Sequence, residues 1–187
     1  DLLLRSLFAT FLFCSLSGAV YLINDILDVA SDREHPVKCN RPIASGALAV
    51  SSAAVGAVLL VGLSLFLGSW GLNQEFAIIA LAYFGQNLIY SKLLKHVAYI
   101  DVALISGGFV LRVLAGTAAI SVETSRWLVV CTMLLALFLG FGKRLHELCL
   151  VGTGSPKSRK SLAGYSEKGL KVSMAVLGLL TAAAYVA

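Results

Sequence analysis

Three aspartates and an asparagine stand at helical spacing directly after a long apolar stretch. Asp25, Asp28 and Asp32 are three and four residues apart, and Asn24 precedes Asp28 by four residues. On a helix, this spacing places the side chains along one side. Mg²⁺ prefers oxygen ligands and commonly takes one or two carboxylates together with water and substrate phosphates. The segment therefore predicts a magnesium site for a phosphorylated substrate, with Asp25, Asp28 and Asp32 as metal ligands and catalytic residues.

The loop that follows the acids is cationic and bounded by proline. Pro36 and Pro42 prevent a helix from simply continuing, and Lys38 and Arg41 lie between them. An ammonium group and a guanidinium group beside a metal site are suited to the oxygens of a diphosphate. We therefore predict that Lys38, Arg41 and Asn24 bind substrate.

A second basic loop contains Tyr90 and Lys95 and leads to Asp101, which is followed in the same apolar stretch by Arg112. Asp101 and Arg112 are eleven residues apart, close to three helical turns, so they face the same side of a helix but lie too far apart to pair directly. We expect both to face a polar cavity. Pairing with another helix is the alternative.

The remaining sequence is typical of a membrane protein. Hydrophobic residues make up 58% of the chain, charged residues 13%, and the mean hydropathy is +0.87, whereas a soluble domain has about 25% charged residues. A spanning helix requires roughly 20 apolar residues. We predict an all-α integral membrane protein, a multi-helix transmembrane bundle that forms one catalytic domain over residues 1–187. Its six apolar stretches are 2–23, 47–67, 76–90, 97–120, 127–141 and 170–187.

The basic residues indicate an orientation. The connections 25–46, 91–96 and 142–171 contain twelve of the fifteen Lys and Arg residues, and alternating helices place these three connections on one side of the membrane. The positive-inside tendency predicts that this side faces the cytoplasm. The basic residues are spread over short loops without a recognisable reading module, so the net charge of +5 does not indicate nucleic acid binding.

The acid segment at the end of a membrane helix, followed by the loop from Pro36 to Pro42, resembles the first aspartate motif of the UbiA-type membrane prenyltransferase superfamily. The resemblance covers the whole chain. It implies Mg²⁺ as cofactor and a nine-helix fold around a central cavity that is capped on the cytoplasmic side. The six stretches here would be the second to seventh helices, so we expect the chain to lack helices at both ends.

The chain departs from that family at the second aspartate motif, a DxxxD pair between the sixth and seventh helices. The corresponding segment contains Lys143, Arg144 and Glu147, followed by Arg159 and Lys160. Basic residues suit direct binding of a phosphate better than binding through a second metal. In this respect the chain resembles the decaprenyl-phosphate phosphoribosyltransferase branch of the superfamily, which the segment from Lys95 to Asp101 and the position of Arg112 also fit.

The resemblance implies transfer of 5-phosphoribosyl from soluble phosphoribosyl diphosphate to a polyprenyl phosphate in the lipid bilayer, for synthesis of a cell-wall arabinan precursor. Asp101 would stabilise the positive charge that develops at ribose C1. Four residues are predicted to bind the donor 5-phosphate or the lipid phosphate, without a division between the two roles: Lys143, Arg144, Arg159 and Lys160. The same interpretation makes four more residues substrate-binding: Tyr90, Lys95, Arg112 and Glu147. An oligomer is compatible with this interpretation.

Two other functions remain open. A conventional prenyltransferase, which attaches a polyprenyl diphosphate to an aromatic acceptor in quinone or haem synthesis, shares the first motif but uses a second acid pair. A cation transporter would also place acids within the membrane. Acids clustered at one helix end beside a proline-bounded basic loop favour a bound phosphate over a conducting path.

Overall fold

The computed structural model describes residues 1–151 and 160–186. Helices account for most of this part of the chain, and it contains no β-strand. Six of its helices are long and apolar enough to cross a membrane, which confirms the predicted all-α membrane fold. The helices are α1 (Leu2–Leu27), α2 (Val29–Glu34), α3 (Val50–Gly71), α4 (Gln74–Ile89), α5 (Ile100–Ala119), α6 (Arg126–Val151) and α7 (Glu167–Val186).

The two shortest apolar stretches, 76–90 and 127–141, lie in helices that extend into polar sequence. A π-helical turn, Tyr90–Leu94, prolongs α4, so the candidate span is Gln74–Leu94. Helix α6 continues past Phe141 to Val151. The backbone stays helical where the hydrophobic pattern ends, because intrahelical hydrogen bonds satisfy the peptide groups in lipid and at its boundary alike. The predicted polar residues Lys143, Arg144 and Glu147 consequently lie on α6 itself.

The chain forms two compact units. The first comprises residues 1–88 and 115–122, and α1 packs along α3 within it. Small buried residues on α3, Ala53, Ala57 and Gly68, allow close contact. A Cβ atom at Gly68 would lie only 2.8 Å from the ring of Phe76. A Cβ atom at Gly56 would lie 3.8 Å from Cδ1 of Leu22, so α3 also packs against the last turns of α1, next to the acid motif.

The second unit comprises residues 89–114 and the described part of 123–187, and α6 packs along α7 within it. Its core contains Val102, Phe141, Tyr165 and Leu170. A Cβ atom at Gly140 would lie 2.6 Å from Cγ1 of Val102, so the glycine permits α5 and α6 to approach beside Asp101. The single catalytic domain over 1–187 stays a prediction.

Candidate functional site

The acid motif does not lie on one uninterrupted helix. Helix α1 ends at Leu27 and α2 begins at Val29, because Asp28 leaves the helical conformation at φ −96° and ψ 3°. The hydrogen-bond register nevertheless continues through the break. The N–H of Asp28 donates to the carbonyl of Asn24 at 2.9 Å, and the N–H of Asp32 donates to the carbonyl of Asp28 at 2.8 Å. The interruption at Asp28 therefore preserves the helical spacing of the motif.

Arg41 connects the first and last acids of the motif. Its Nη1 atom lies 2.8 Å from Oδ1 of Asp25 and 2.8 Å from Oδ2 of Asp32. Lys38 Nζ lies 3.7 Å from Oδ1 of Asp32. The Asp32 side chain is only 3% exposed, and a carboxylate at such depth requires a counter-charge. We call Asp25, Asp28, Asp32, Lys38 and Arg41 the acid cluster.

The loop that carries Arg41 is folded back by its own hydrogen bonds. A 3-10 turn, Lys38–Asn40, ends with the N–H of Arg41 donating to the carbonyl of Lys38 at 2.9 Å. Ile43 is buried just beyond it, and Nε of Arg33 donates to the carbonyl of Ala44 at 3.2 Å. The backbone at Arg41 is thus anchored from both sides, and the loop brings Lys38 and Arg41 to the acids. Their role in substrate binding stays a prediction.

A second charged group lies on α5 and α6. Arg144 is 2% exposed and Asp101 is fully buried, with Nε of Arg144 lying 3.0 Å from Oδ2 of Asp101. This contact is an ion pair without the alignment of a hydrogen bond. Nη1 of Arg144 also donates to Oε2 of Glu147, at 2.5 Å. The guanidinium is therefore held between two carboxylates.

Tyr165 completes this group. Its hydroxyl donates to Oδ1 of Asp101 at 2.5 Å and accepts from the N–H of Tyr99 at 2.7 Å, while Oγ of Ser161 donates to Oδ2 of Asp101 at 3.4 Å. Burial and the bond to Asp101 raise the pKa of Tyr165 well above its ordinary value, so the phenol remains a donor. We call Asp101, Arg144, Glu147, Ser161 and Tyr165 the buried arginine cluster.

The structure answers the question that the sequence left open for Asp101. Asp101 pairs with Arg144, which lies on another helix. The guanidinium of Arg112 lies 5.1 Å from the centre of the Phe109 ring, a cation–π contact within α5. The pairing alternative is thus the observed one, and the catalytic role of Asp101 stays a prediction.

An apolar cleft of about 410 Å³ adjoins the buried arginine cluster. Ile105, Phe109 and Leu139 contribute to its walls, and Lys143 and Arg144 line it as well. Lys143 is exposed and makes no ion pair with a described residue. The cleft therefore combines a hydrocarbon surface with a positive charge that is available to a ligand.

The structure describes only some of the other residues that were predicted to bind substrate. Tyr90 and Lys95 bound the π-helical turn, in which the N–H of Lys95 donates to the carbonyl of Tyr90 at 2.9 Å. Arg159 lies outside the described residues. Lys160 begins a 3-10 turn, Lys160–Gly164, and its side chain is not described. Sequence reasoning missed Ser161 and Tyr165 as polar partners of Asp101, because they are 60 and 64 residues away and no local spacing relates them to it.

Comparison with known proteins decides the family. The sequence matches the UbiA prenyltransferase family over residues 1–187. The chain belongs to this family. It is 39% identical over 159 residues to the decaprenyl-phosphate phosphoribosyltransferase of Mycolicibacterium smegmatis, covering 85% of this chain and 50% of that protein. It is 41% identical over 162 residues to the enzyme of that name from Corynebacterium glutamicum, covering 85% of this chain and 48% of that protein. The chain thus spans about half the length of these relatives.

Solved structures of this family show the same fold. A UbiA homologue from Archaeoglobus fulgidus, bound to DMAPP and Mg²⁺, superposes with a TM-score of 0.81 at 18% identity. The match covers 97% of this chain and 65% of that chain. The same homologue bound to GPP and Mg²⁺ gives equal values.

The acid cluster can be tested for its fit to a magnesium ion. In the part of the chain that the structure describes, no three acidic, histidine or cysteine residues converge as a ready metal site. Asp25 and Asp32, however, both direct an oxygen at one cationic atom, Nη1 of Arg41. Oδ1 of Asn24 is buried without a hydrogen-bond partner. Two carboxylates and an amide oxygen fit a Mg²⁺ ion whose remaining ligands are water and phosphate. The metal role of Asp25, Asp28 and Asp32 stays a prediction.

Proposed function

We propose that the protein transfers 5-phosphoribosyl from phosphoribosyl diphosphate to a polyprenyl phosphate and releases diphosphate, in the synthesis of a cell-wall arabinan precursor. The observation that carries the proposal is the cationic segment of α6, where Lys143 lines an apolar cleft. The relatives at 39% and 41% identity are decaprenyl-phosphate phosphoribosyltransferases, which supports the same reaction.

The acid cluster is the proposed donor site. Asp25 and Asp32 would hold Mg²⁺, with Asn24 and Asp28 beside them, and the bound ion would supply Lewis-acid stabilisation of the leaving diphosphate. Lys38 and Arg41 would bind the diphosphate oxygens and neutralise the charge that develops as the bond to ribose C1 breaks.

The cleft beside Lys143 is the proposed acceptor site. A lipid phosphate would bind the Lys143 ammonium while its isoprenoid chain lies along Ile105, Phe109 and Leu139. An oxygen of this phosphate forms the new bond to ribose C1, and the diphosphate leaves with the electron pair of the old bond. The phosphate monoester is already anionic at neutral pH, so the reaction does not require a general base.

Arg144 has a different task in this scheme. Its guanidinium is held by Asp101 and Glu147 and is almost completely buried. We assign Asp101 and Tyr165 to the positioning of Arg144. Glu147 is the more exposed of the two carboxylates that contact Arg144. Arg144, neutralised by its two carboxylates, fixes the wall of the cleft. Lys143 makes the direct contact with the phosphate.

An assay of the full-length protein distinguishes the two enzyme classes. One reaction contains polyprenyl phosphate and radiolabelled phosphoribosyl diphosphate, and the other contains prenyl diphosphate and 4-hydroxybenzoate. We expect label in the lipid fraction of the first reaction only. A prenylated benzoate product without labelled lipid would establish conventional family chemistry instead.

We also propose that the acid cluster faces the cytoplasm, where a soluble phosphoribosyl donor is available. Cysteine substituted at Lys38 or Lys92 should resist an impermeant thiol reagent added outside intact cells, as the positive-inside tendency requires. Cysteine substituted at Glu123, in the connection between α5 and α6, is the control that should be labelled. The reverse pattern would invert the orientation.

A further inference from the structure

The contact between Arg41 and the acid motif has an unusual form. A single nitrogen atom, Nη1, lies 2.8 Å from one oxygen of Asp25 and 2.8 Å from one oxygen of Asp32. Two carboxylates thus share one positive atom, an arrangement that a divalent cation also adopts. Carboxylate oxygens lie about 2.0–2.1 Å from Mg²⁺, so the ion and Nη1 cannot occupy the gap together.

We propose that Arg41 is an internal counter-cation, which competes with the divalent metal for Asp25 and Asp32 and transfers to the diphosphate when the donor arrives. The inference rests on the metal site of the proposed function. It adds a sequence of binding events to that site: the metal replaces Arg41 on the two carboxylates, so Asp25 and Asp32 always have a cation beside them.

The surroundings of Arg41 permit this exchange. Its side chain is 41% exposed, whereas the loop backbone is fixed by buried Ile43 and by the N–H of Leu48, which donates to the carbonyl of Pro42 at 2.8 Å. The guanidinium can therefore swing to a ligand without unfolding the loop. Asp32, at 3% exposure, also has Lys38 Nζ at 3.7 Å as a second cationic neighbour.

Competition between Arg41 and the metal has a thermodynamic consequence. Without diphosphate, a metal ion must displace Arg41, which lowers the apparent metal affinity. Diphosphate oxygens attract the guanidinium and release the carboxylates, so diphosphate raises the affinity for metal and, by linkage, metal raises the affinity for diphosphate. The metal and the diphosphate therefore bind to the site cooperatively.

Binding of Mn²⁺, followed by electron paramagnetic resonance on the full-length protein, tests this proposal. In Arg41→Gln, Mn²⁺ alone should bind roughly tenfold more tightly than in the wild type, since two charge-assisted contacts no longer have to be broken. The control Arg33→Gln removes a neighbouring arginine that contacts the carbonyl of Ala44, and it should leave the affinity unchanged. Inorganic diphosphate should tighten Mn²⁺ binding in the wild type and far less in Arg41→Gln.

Thermal unfolding provides a second readout, because Arg41→Gln leaves Asp25 and Asp32 without their shared cation. We expect this variant to melt at a lower temperature in EDTA and to regain most of the loss with Mn²⁺, while Arg41→Lys, which keeps the charge, loses less. Mn²⁺ affinity in Arg41→Gln that is equal to or weaker than the wild-type value would overturn the proposal.

The results that would contradict the proposed function differ from those that would contradict the exchange at Arg41. If Mn²⁺ binding changes as expected but the protein prenylates 4-hydroxybenzoate, the exchange at Arg41 stands and the assigned substrates are wrong. If Asp25→Asn abolishes Mn²⁺ binding while Arg41→Gln leaves it unchanged, the metal site stands and the exchange is wrong.

Discussion

Two regions of the molecule solve the same electrostatic problem in different ways. In the acid cluster, Arg41 lies between Asp25 and Asp32, and in the buried arginine cluster, Arg144 lies between Asp101 and Glu147. The difference is burial, since the Arg41 side chain is 41% exposed and that of Arg144 is 2% exposed.

Burial changes what an ion pair can do. Water competes for an exposed guanidinium and lowers the free energy needed to break its contacts, whereas a buried charge that loses its partner has no solvent to replace it. Arg41 can therefore exchange partners with a ligand, and Arg144 cannot. An arginine between two carboxylates can therefore serve ligand binding when it is exposed, as in the acid cluster. It serves structural stability when it is buried, as in the buried arginine cluster.

The largest expected effect comes from removing a buried partner. Asp101→Asn keeps the size of the side chain but leaves Arg144 with one carboxylate, and it should reduce the free energy of unfolding by about 3 kcal/mol. Thermal unfolding in detergent measures the change. Glu147→Gln acts on the same guanidinium from a side chain that is 28% exposed and should cost much less. Equal losses would remove the distinction between the two carboxylates.

Asp25→Asn should instead affect the reaction more than the fold. Loss of an electrostatic group at the reacting centre should lower kcat by roughly 10², while the unfolding temperature changes little because Asp25 is partly exposed. Chelation of the metal by EDTA should give a loss of similar size in the wild type. Turnover that persists in EDTA would exclude the metal site.

The exposed lysine of the cleft should have a smaller, selective effect. Lys143→Ala should raise KM for polyprenyl phosphate by roughly tenfold and leave KM for phosphoribosyl diphosphate and the unfolding temperature unchanged. Lys92→Ala removes another exposed lysine that does not line the cleft and serves as the control. A changed KM for the donor alone would move Lys143 to the donor site.

The smallest expected effect belongs to the phenol that supports Asp101. Tyr165→Phe removes a donor from Asp101 and an acceptor from the N–H of Tyr99, which should cost about 1 kcal/mol of unfolding free energy. Tyr185→Phe changes a tyrosine that is 84% exposed and should cost nothing measurable. No difference between the two variants would contradict the role of Tyr165 in the buried arginine cluster.

Much of the candidate site could be predicted from local sequence. The spacing of Asp25, Asp28 and Asp32 predicts a shared side because helix periodicity acts over three and four residues, and the hydrogen-bond register continues through the interruption at Asp28. Lys38 and Arg41 follow closely enough that a short folded loop brings them to the acids. Apolar length and composition determined the membrane helices, because a bilayer requires both.

The tertiary structure alone decided the partners of Asp101. Arg144 is on another helix, and Tyr165 follows Asp101 by 64 residues. Their meeting depends on how α5, α6 and the segment before α7 pack together, which no periodicity encodes. The sequence by itself determined the family, the membrane fold and the acid motif. Packing decided which arginine is buried, since burial follows from the surfaces that close around a side chain and not from its neighbours in the chain.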